Sequence, residues 1–174
     1  CPTRELADQV AAEIRRLAST IPNIKLLTLC GGKPMGPQLA SLQRDPHIVV
    51  GTPGRILKHL EKETLHLEAI ETLVLDEADR MLDMGFYDDI MQIISMTADS
   101  KQTLLFSATY PDGIKRISDS VQNNPVDIRV EASHHSPDIN QVFFQVEKSE
   151  RAKILFKVIA HYRPESSLVF CNTK

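Results

Sequence analysis

The chain has 174 residues, a formal net charge of −3, 42% hydrophobic and 25% charged residues, 7 Gly, 10 Pro and no Trp; this is an ordinary globular composition, which excludes disorder, collagen and a coiled coil. Its longest apolar clusters, Ile48-Val49-Val50, Leu73-Val74-Leu75 and Leu104-Leu105-Phe106, are strand-sized, far short of the roughly 20 residues that a membrane-crossing helix needs. The charge divides as +4 over residues 1–60, −9 over 61–99 and +2 over 100–174, so no global attraction for a polyanion exists and any nucleic-acid contact has to be local.

In chain order, Cys1-Pro2-Thr3 is neither a translation start nor a signal peptide, and the expectation is an internal piece of a longer protein. Thr3 can cap a helix in which Leu6, Val10, Ile14 and Leu17 recur at helical spacing. Strand-like runs follow at 24–30, 47–50, 72–76, 102–107 and 126–130, with helical patterns at 36–44, 53–61, 87–97 and 111–123 between them. Short buried strands alternating with helices predict an α/β fold, a parallel sheet covered on both faces. Residues 131–138 read as a linker. Beyond it, an alternating strand from Gln141 to Val146, a helix from Arg151 to Tyr162 and a strand from Leu168 to Cys171 predict the opening of a second α/β domain, 139–174, after a first one over 1–130. Cys1, Cys30 and Cys171 are odd in number and lack metal-like spacing, which fits a reducing compartment.

In parallel α/β sheets ligands bind outside the carboxyl ends of the strands, so polar residues directly after an apolar run are the first candidates. Leu73-Val74-Leu75 hands over to Asp76-Glu77-Ala78-Asp79. Asp76, at a strand tip, can hold Mg²⁺ through water, because this hard cation takes oxygen ligands and keeps much of its hydration. Glu77 can orient or deprotonate a water that attacks a phosphoryl group. The same acids could instead simply open a helix, whose N-terminal dipole favours them. The run ending at Phe106 leads to Ser107-Ala108-Thr109, two hydroxyls that can relay between strands or cap a helix. Val50-Gly51 leads to Thr52-Pro53-Gly54-Arg55, where Thr52 reads as a cap and Pro53 as a first helical residue, with free amides and Arg55 suited to a phosphate, although a cap and turn with no ligand would read the same. Gly31-Gly32 permits close backbone approach or simply a tight turn, and Thr3-Arg4 offers a hydroxyl and a cation at another helix start. All five sets fall where a strand hands over to a helix or at a helix head, which predicts one common sheet edge. His134-His135 reads as an exposed pair in the linker, and Phe143, Phe144 and Phe156 as packing of the second domain.

Read in order, Pro2-Thr3-Arg4-Glu5-Leu6-Ala7, Gly31-Gly32, Thr52-Pro53-Gly54-Arg55, Asp76-Glu77-Ala78-Asp79, Ser107-Ala108-Thr109 and Val169-Phe170-Cys171-Asn172-Thr173 resemble the ordered motifs of DEAD-box RNA helicases, over nearly the whole chain. The flanking Leu29-Cys30-Gly31-Gly32 and Arg80-Met81-Leu82-Asp83-Met84-Gly85-Phe86 are similar to the bacterial DbpA branch. The resemblance implies RecA-like lobes that close on ATP, Mg²⁺ and single-stranded RNA, in a cytoplasmic protein with no membrane association. It implies that Asp76 binds the metal through water and Glu77 activates the hydrolytic water. Asp79 would bond toward Ser107 and Thr109, and Thr3, Arg4, Gly31, Gly32, Thr52, Gly54 and Arg55 would contact RNA sugar and phosphate. The DbpA-like wording further suggests ribosomal RNA and ribosome assembly.

The departure from the family pattern is the lack of any Gly-x-x-x-x-Gly-Lys-Ser/Thr loop in these 174 residues. The expectation is lobe one without its first strand and phosphate loop, plus the start of lobe two, and a piece that does not hydrolyse ATP efficiently by itself. The alternative is a non-catalytic RNA-binding or partner-binding module that keeps the lobe-one surface. Intact Glu77 favours the enzyme, since a binding module has no use for a water-activating carboxylate.

Overall fold

The computed structural model describes residues 1–130 and 140–171. The expected linker, 131–138, and with it His134 and His135, lies outside the described residues, as do Asn172 and Thr173. The chain divides into two compact units, Cys1–Asp127 and Ile128–Lys174.

In the first unit, α1 (Arg4–Leu17) starts where Thr3 Oγ1 accepts the Leu6 N–H at 3.2 Å. One turn apart on α1, Ala7 and Ala11 are fully buried, and their small side chains let the helix lie close on Cys30 and Val50. Strands β1 (Leu26–Leu29) and β2 (Ile48–Gly51) pair in parallel, Leu26 opposite Ile48 and Leu29 opposite Gly51. Alternation along them sends Leu26, Ile48, Val50 and the following Cys30 toward α1, and Leu27, Leu29 and Val49 toward the other face. That face is covered from α2 (Met35–Leu42) by Leu42, from α3 (Pro53–Glu61) by Ile56, Leu57 and Leu60, and by Leu65 and Leu67 of the following loop. Gly51 is required there: a Cβ would run into the Leu29 carbonyl oxygen and sit 3.0 Å from Ile56 Cγ1.

Strand β3 (Thr72–Leu75), α4 (Ala78–Asp83), α5 (Tyr87–Ser95), β4 (Gln102–Leu105) and α6 (Asp112–Val121) complete this unit. β3 and β4 pair in parallel, Thr72 opposite Gln102 and Leu75 opposite Leu105. Leu75, Ala78, Met81, Ile90, Ile114 and Ile117 form the core on one face. Burying each of the larger ones is worth about 1.5–3 kcal/mol. The opposite face is bare enough to leave Val74 48% exposed. α5 ties the halves together, since its Ile90 and Ile94 belong to that core while Ile93 packs with Leu29 and Leu60.

The parallel strands and packed helices are those expected of an α/β fold, and the described strands pair as two two-stranded ladders, β1-β2 and β3-β4, rather than as a single sheet. The strands expected at 126–130, 141–146 and 168–171 are also not formed. A strand is completed only by a neighbour's N–H and C=O groups, and the ladders formed by the described strands, β1-β2 and β3-β4, do not include these segments. Their apolar residues are correspondingly exposed, Val126, Ile128, Val130, Phe143 and Phe170 among them. In the second unit the expected helix is present as α7 (Arg151–Tyr162). The packing expected of Phe143, Phe144 and Phe156 is absent, and all three are exposed.

Candidate functional site

The expected residues gather in two clusters, one beyond each parallel ladder. Beyond β3 and β4, the Ala78 N–H bonds the Phe106 carbonyl at 3.0 Å and the Phe106 N–H bonds the Leu75 carbonyl at 2.8 Å, which carries the pairing past the strand ends. Asp79 and Thr109 are thereby brought into contact. The Asp79 carboxylate oxygen Oδ2 accepts the Thr109 N–H at 2.9 Å and the Thr109 hydroxyl at 2.7 Å. These bonds, the hydroxyl's foremost, hold the Asp79 carboxyl below the ordinary carboxylate range. Ser107 bonds Asp79 through the main chain: its Oγ accepts the Asp79 backbone N–H at 3.2 Å and donates to the Thr109 carbonyl at 2.6 Å.

Asp76 and Glu77 stand at the same strand end, half-buried. One Asp76 oxygen accepts the Glu77 N–H at 3.0 Å. Glu77 adopts a left-handed backbone, φ 50° and ψ 52°, directly before α4. Such a conformation is costly for a residue with a Cβ and collects at functional sites. Its carboxylate lies 4.0 Å from the Arg80 guanidinium, both groups open to solvent.

The second cluster lies beyond β1 and β2. Gly32 has φ +75°, and a Cβ there would overlap the Arg4 guanidinium. Glycine at this position therefore lets Arg4 lie on the turn. Arg55 reaches the same turn from α3, its Nη1 donating to the Lys33 carbonyl at 3.0 Å. Thr52 is extended, φ −96° and ψ 143°, with Pro53 opening the helix, but its hydroxyl makes no capping bond. The expected cap is a backbone one: the Thr52 carbonyl receives the Arg55 and Ile56 N–H groups at 3.0 and 3.1 Å. Gly54 faces α5, where a Cβ would stand 3.7 Å from Asp89 Oδ2. Thr3, Arg4, Gly31, Gly32, Thr52, Gly54 and Arg55 thus fall in one region, and Asp76, Glu77, Asp79, Ser107 and Thr109 in another, with α5 packed between the supporting cores.

Behind Arg55 lies a group that sequence reasoning missed. Arg55 Nη1 also donates to Gln38 Oε1 at 2.8 Å, His59 Nε2 lies 3.0 Å from the same oxygen, and Thr64 Oγ1 lies 2.9 Å from His59 Nδ1. Gln38 and His59 are both buried. Burial, helped by the Arg55 and Lys62 charges, lowers the His59 pKa. The available signal was the i, i+4 spacing of Arg55 and His59, which puts both on one face of α3.

A parallel α/β unit with a paired acid site beyond one ladder and a basic, glycine-rich turn beyond the other belongs to the RecA-like class, and comparison with solved structures agrees. A DEAD box protein from Methanococcus jannaschii superposes with a TM-score of 0.72 at 39% identity, over 91% of this chain and 42% of that one. An ATP-dependent RNA helicase described as hypothetical, from Sulfolobus tokodaii, gives 0.68 at 40% identity, over 71% of this chain and 37% of that one. The family model for the DEAD/DEAH box helicases matches residues 1–117. The chain belongs to the DEAD/DEAH box helicase family. It is 53% identical to the ATP-dependent RNA helicase DbpA of Escherichia coli K12 over its whole length, and 42% identical to the DEAD-box ATP-dependent RNA helicase CshA of Geobacillus kaustophilus over 99% of it. It spans 38% and 37% of the lengths of those two relatives.

Proposed function

We propose that the full-length protein containing this chain is an ATP-dependent RNA helicase that couples ATP hydrolysis to local separation of RNA duplexes or remodelling of RNA–protein contacts. The observation that carries this reading is the hydrogen-bonded junction of Asp79 with Thr109 and Ser107, two residues on from the strained Glu77. A chemical change at Glu77 is thereby linked to the loop after β4, as a coupling device requires. In this reading Glu77 orients and deprotonates the attacking water, while Asp79, Ser107 and Thr109 transmit nucleotide state.

Asp76 fits a magnesium site. It is a hard oxygen donor at a strand tip, and its second oxygen accepts no hydrogen bond from the described residues. Among the described residues no group of three metal-ligating side chains occurs, which suits a cation held by one carboxylate through water and by substrate phosphates. Such a cation would neutralise phosphate charge; Asp76's part is to hold its water.

Thr3, Arg4, Gly31, Gly32, Thr52, Gly54 and Arg55 would hold RNA by sugar and phosphate, which positions a strand without reading its sequence. Convergence of Arg4 and Arg55 on the Gly31–Lys33 turn supports this. Residues 1–130 form the body of lobe one, 131–138 the linker, and 139–174 the opening of lobe two. The likeness to DbpA supports ribosomal RNA as substrate and ribosome assembly as the process. Free Cys1, Cys30 and Cys171 support a reducing, cytoplasmic location, and no described helix is long and apolar enough to cross a membrane.

The test is strand separation by the full-length protein on a short RNA duplex with ATP and Mg²⁺. Separation that requires hydrolysable ATP and fails in Glu77→Gln supports the enzyme. RNA binding with neither separation nor hydrolysis would return the non-catalytic module.

A further inference from the structure

We propose that Gln38 and His59 are positioning residues for Arg55, a buried hydrogen-bonded chain that aims its guanidinium at an RNA phosphate. The inference rests on the reading of Arg55 as a phosphate ligand. Arg55 cannot release a proton, so the group it meets must be an acceptor. Gln38 Oε1 fills that place at 2.8 Å, and its amide nitrogen donates to the Cys30 carbonyl at 3.3 Å. A flipped amide would set NH₂ against a guanidinium N–H and an oxygen against a carbonyl, so only one orientation is satisfied. His59 Nε2, 3.0 Å from the same Oε1, must then carry the proton, while Thr64 Oγ1 lies 2.9 Å from Nδ1 and donates to the His59 carbonyl at 3.0 Å. Gln38 thus fixes a proton on Nε2, and burial, which lowers the His59 pKa, favours the neutral ring.

The consequence lies at Arg55. Both N–H groups of Nη1 are used internally, one on Lys33 O and one on Gln38 Oε1. The edge formed by Nε and Nη2 makes no hydrogen bond to the described residues, and two parallel donors of that kind match two phosphate oxygens. Without the buried anchor the same charge remains, but it sweeps several rotamers and loses its fixed fork.

The experiment measures Kd of the full-length protein for a labelled single-stranded oligouridylate, with Mg²⁺ and a non-hydrolysable ATP analogue, across a salt series. Arg55→Ala is expected to weaken binding and to reduce the salt slope by about 0.7, the loss of one phosphate contact on a single strand. Gln38→Leu and His59→Leu are each expected to raise Kd by about three- to tenfold, in keeping with the net worth of a typical hydrogen bond, and to have no further effect on the Arg55→Ala background. His59→Gln, which keeps an N–H near the Nε2 position, should restore binding. Thermal melts report folding, and if Gln38→Leu does not fold, the His59→Leu and His59→Gln pair decides. Effects that persist undiminished without Arg55, or no effect with Arg55 present, would overturn the inference while leaving the phosphate role intact. If Arg55→Ala itself changes neither Kd nor slope, the phosphate role fails first and the positioning role falls with it.

Discussion

Glu77 combines the candidate water-activating carboxylate with a left-handed backbone. In the full-length protein, Glu77→Gln is expected to lower ATP turnover by about 10² to 10⁴, the range for a positioned acid or base, with ATP and RNA affinity retained. Glu77→Gly should also abolish turnover, yet raise stability by about 1 kcal/mol by removing the left-handed penalty; a thermal melt set beside the rate measurement separates the two effects. Asp79 offers a pH test. Its carboxyl is held below the ordinary value of 3.8, chiefly by the Thr109 hydroxyl. A lowered carboxylate pKa stabilises the fold above the unfolded value, and that contribution is lost as pH falls through the folded value. A carbon-detected NMR titration should therefore find Asp79 still ionised below pH 3.8 in the wild type, and shifted upward in Thr109→Val. An unchanged titration in the variant would remove the hydroxyl from that role.

At the scale of elements, the helix and strand order was legible because each apolar run had the right length and period. α3 is predicted and observed at 53–61, and β3 and β4 lie within the expected runs. The three strands at 126–130, 141–146 and 168–171 were misread for one reason: alternation marks a segment fit for a ladder, but the ladder also needs a partner that no local pattern reveals. The candidate site was legible where residues adjoin in sequence, as in Asp76-Glu77 and Thr52-Pro53-Gly54-Arg55. It was illegible where the fold supplies the partner, as with Gln38 behind Arg55 and the backbone N–H of Asp79 on Ser107. β4 also carries a structural prediction. Thr103 Oγ1 is buried and has no hydrogen-bond partner among the described residues. Thr103→Val keeps the shape and removes that polar group, so it should stabilise the protein by about 1 kcal/mol, read as a higher denaturation midpoint. A lower midpoint would indicate a partner for the hydroxyl.

For the whole molecule, two clusters at the ends of two parallel ladders share one mechanical link. α5 contributes Ile90 and Ile94 to the core beneath the acid site and Ile93 to the core beneath the basic turn. A packed core of this kind transmits displacement rather than absorbing it, so in the proposed function nucleotide chemistry at one cluster and RNA at the other would have a physical route of coupling. By linkage, any gain in nucleotide affinity from RNA must equal the gain in RNA affinity from nucleotide. The central claim is that hydrolysis is coupled to RNA, and the direct measurement is phosphate release from ATP by the full-length protein with and without RNA, beside Glu77→Gln. The account predicts turnover that RNA stimulates and that the variant loses. RNA binding without any turnover, or turnover equal in Glu77→Gln, would contradict it.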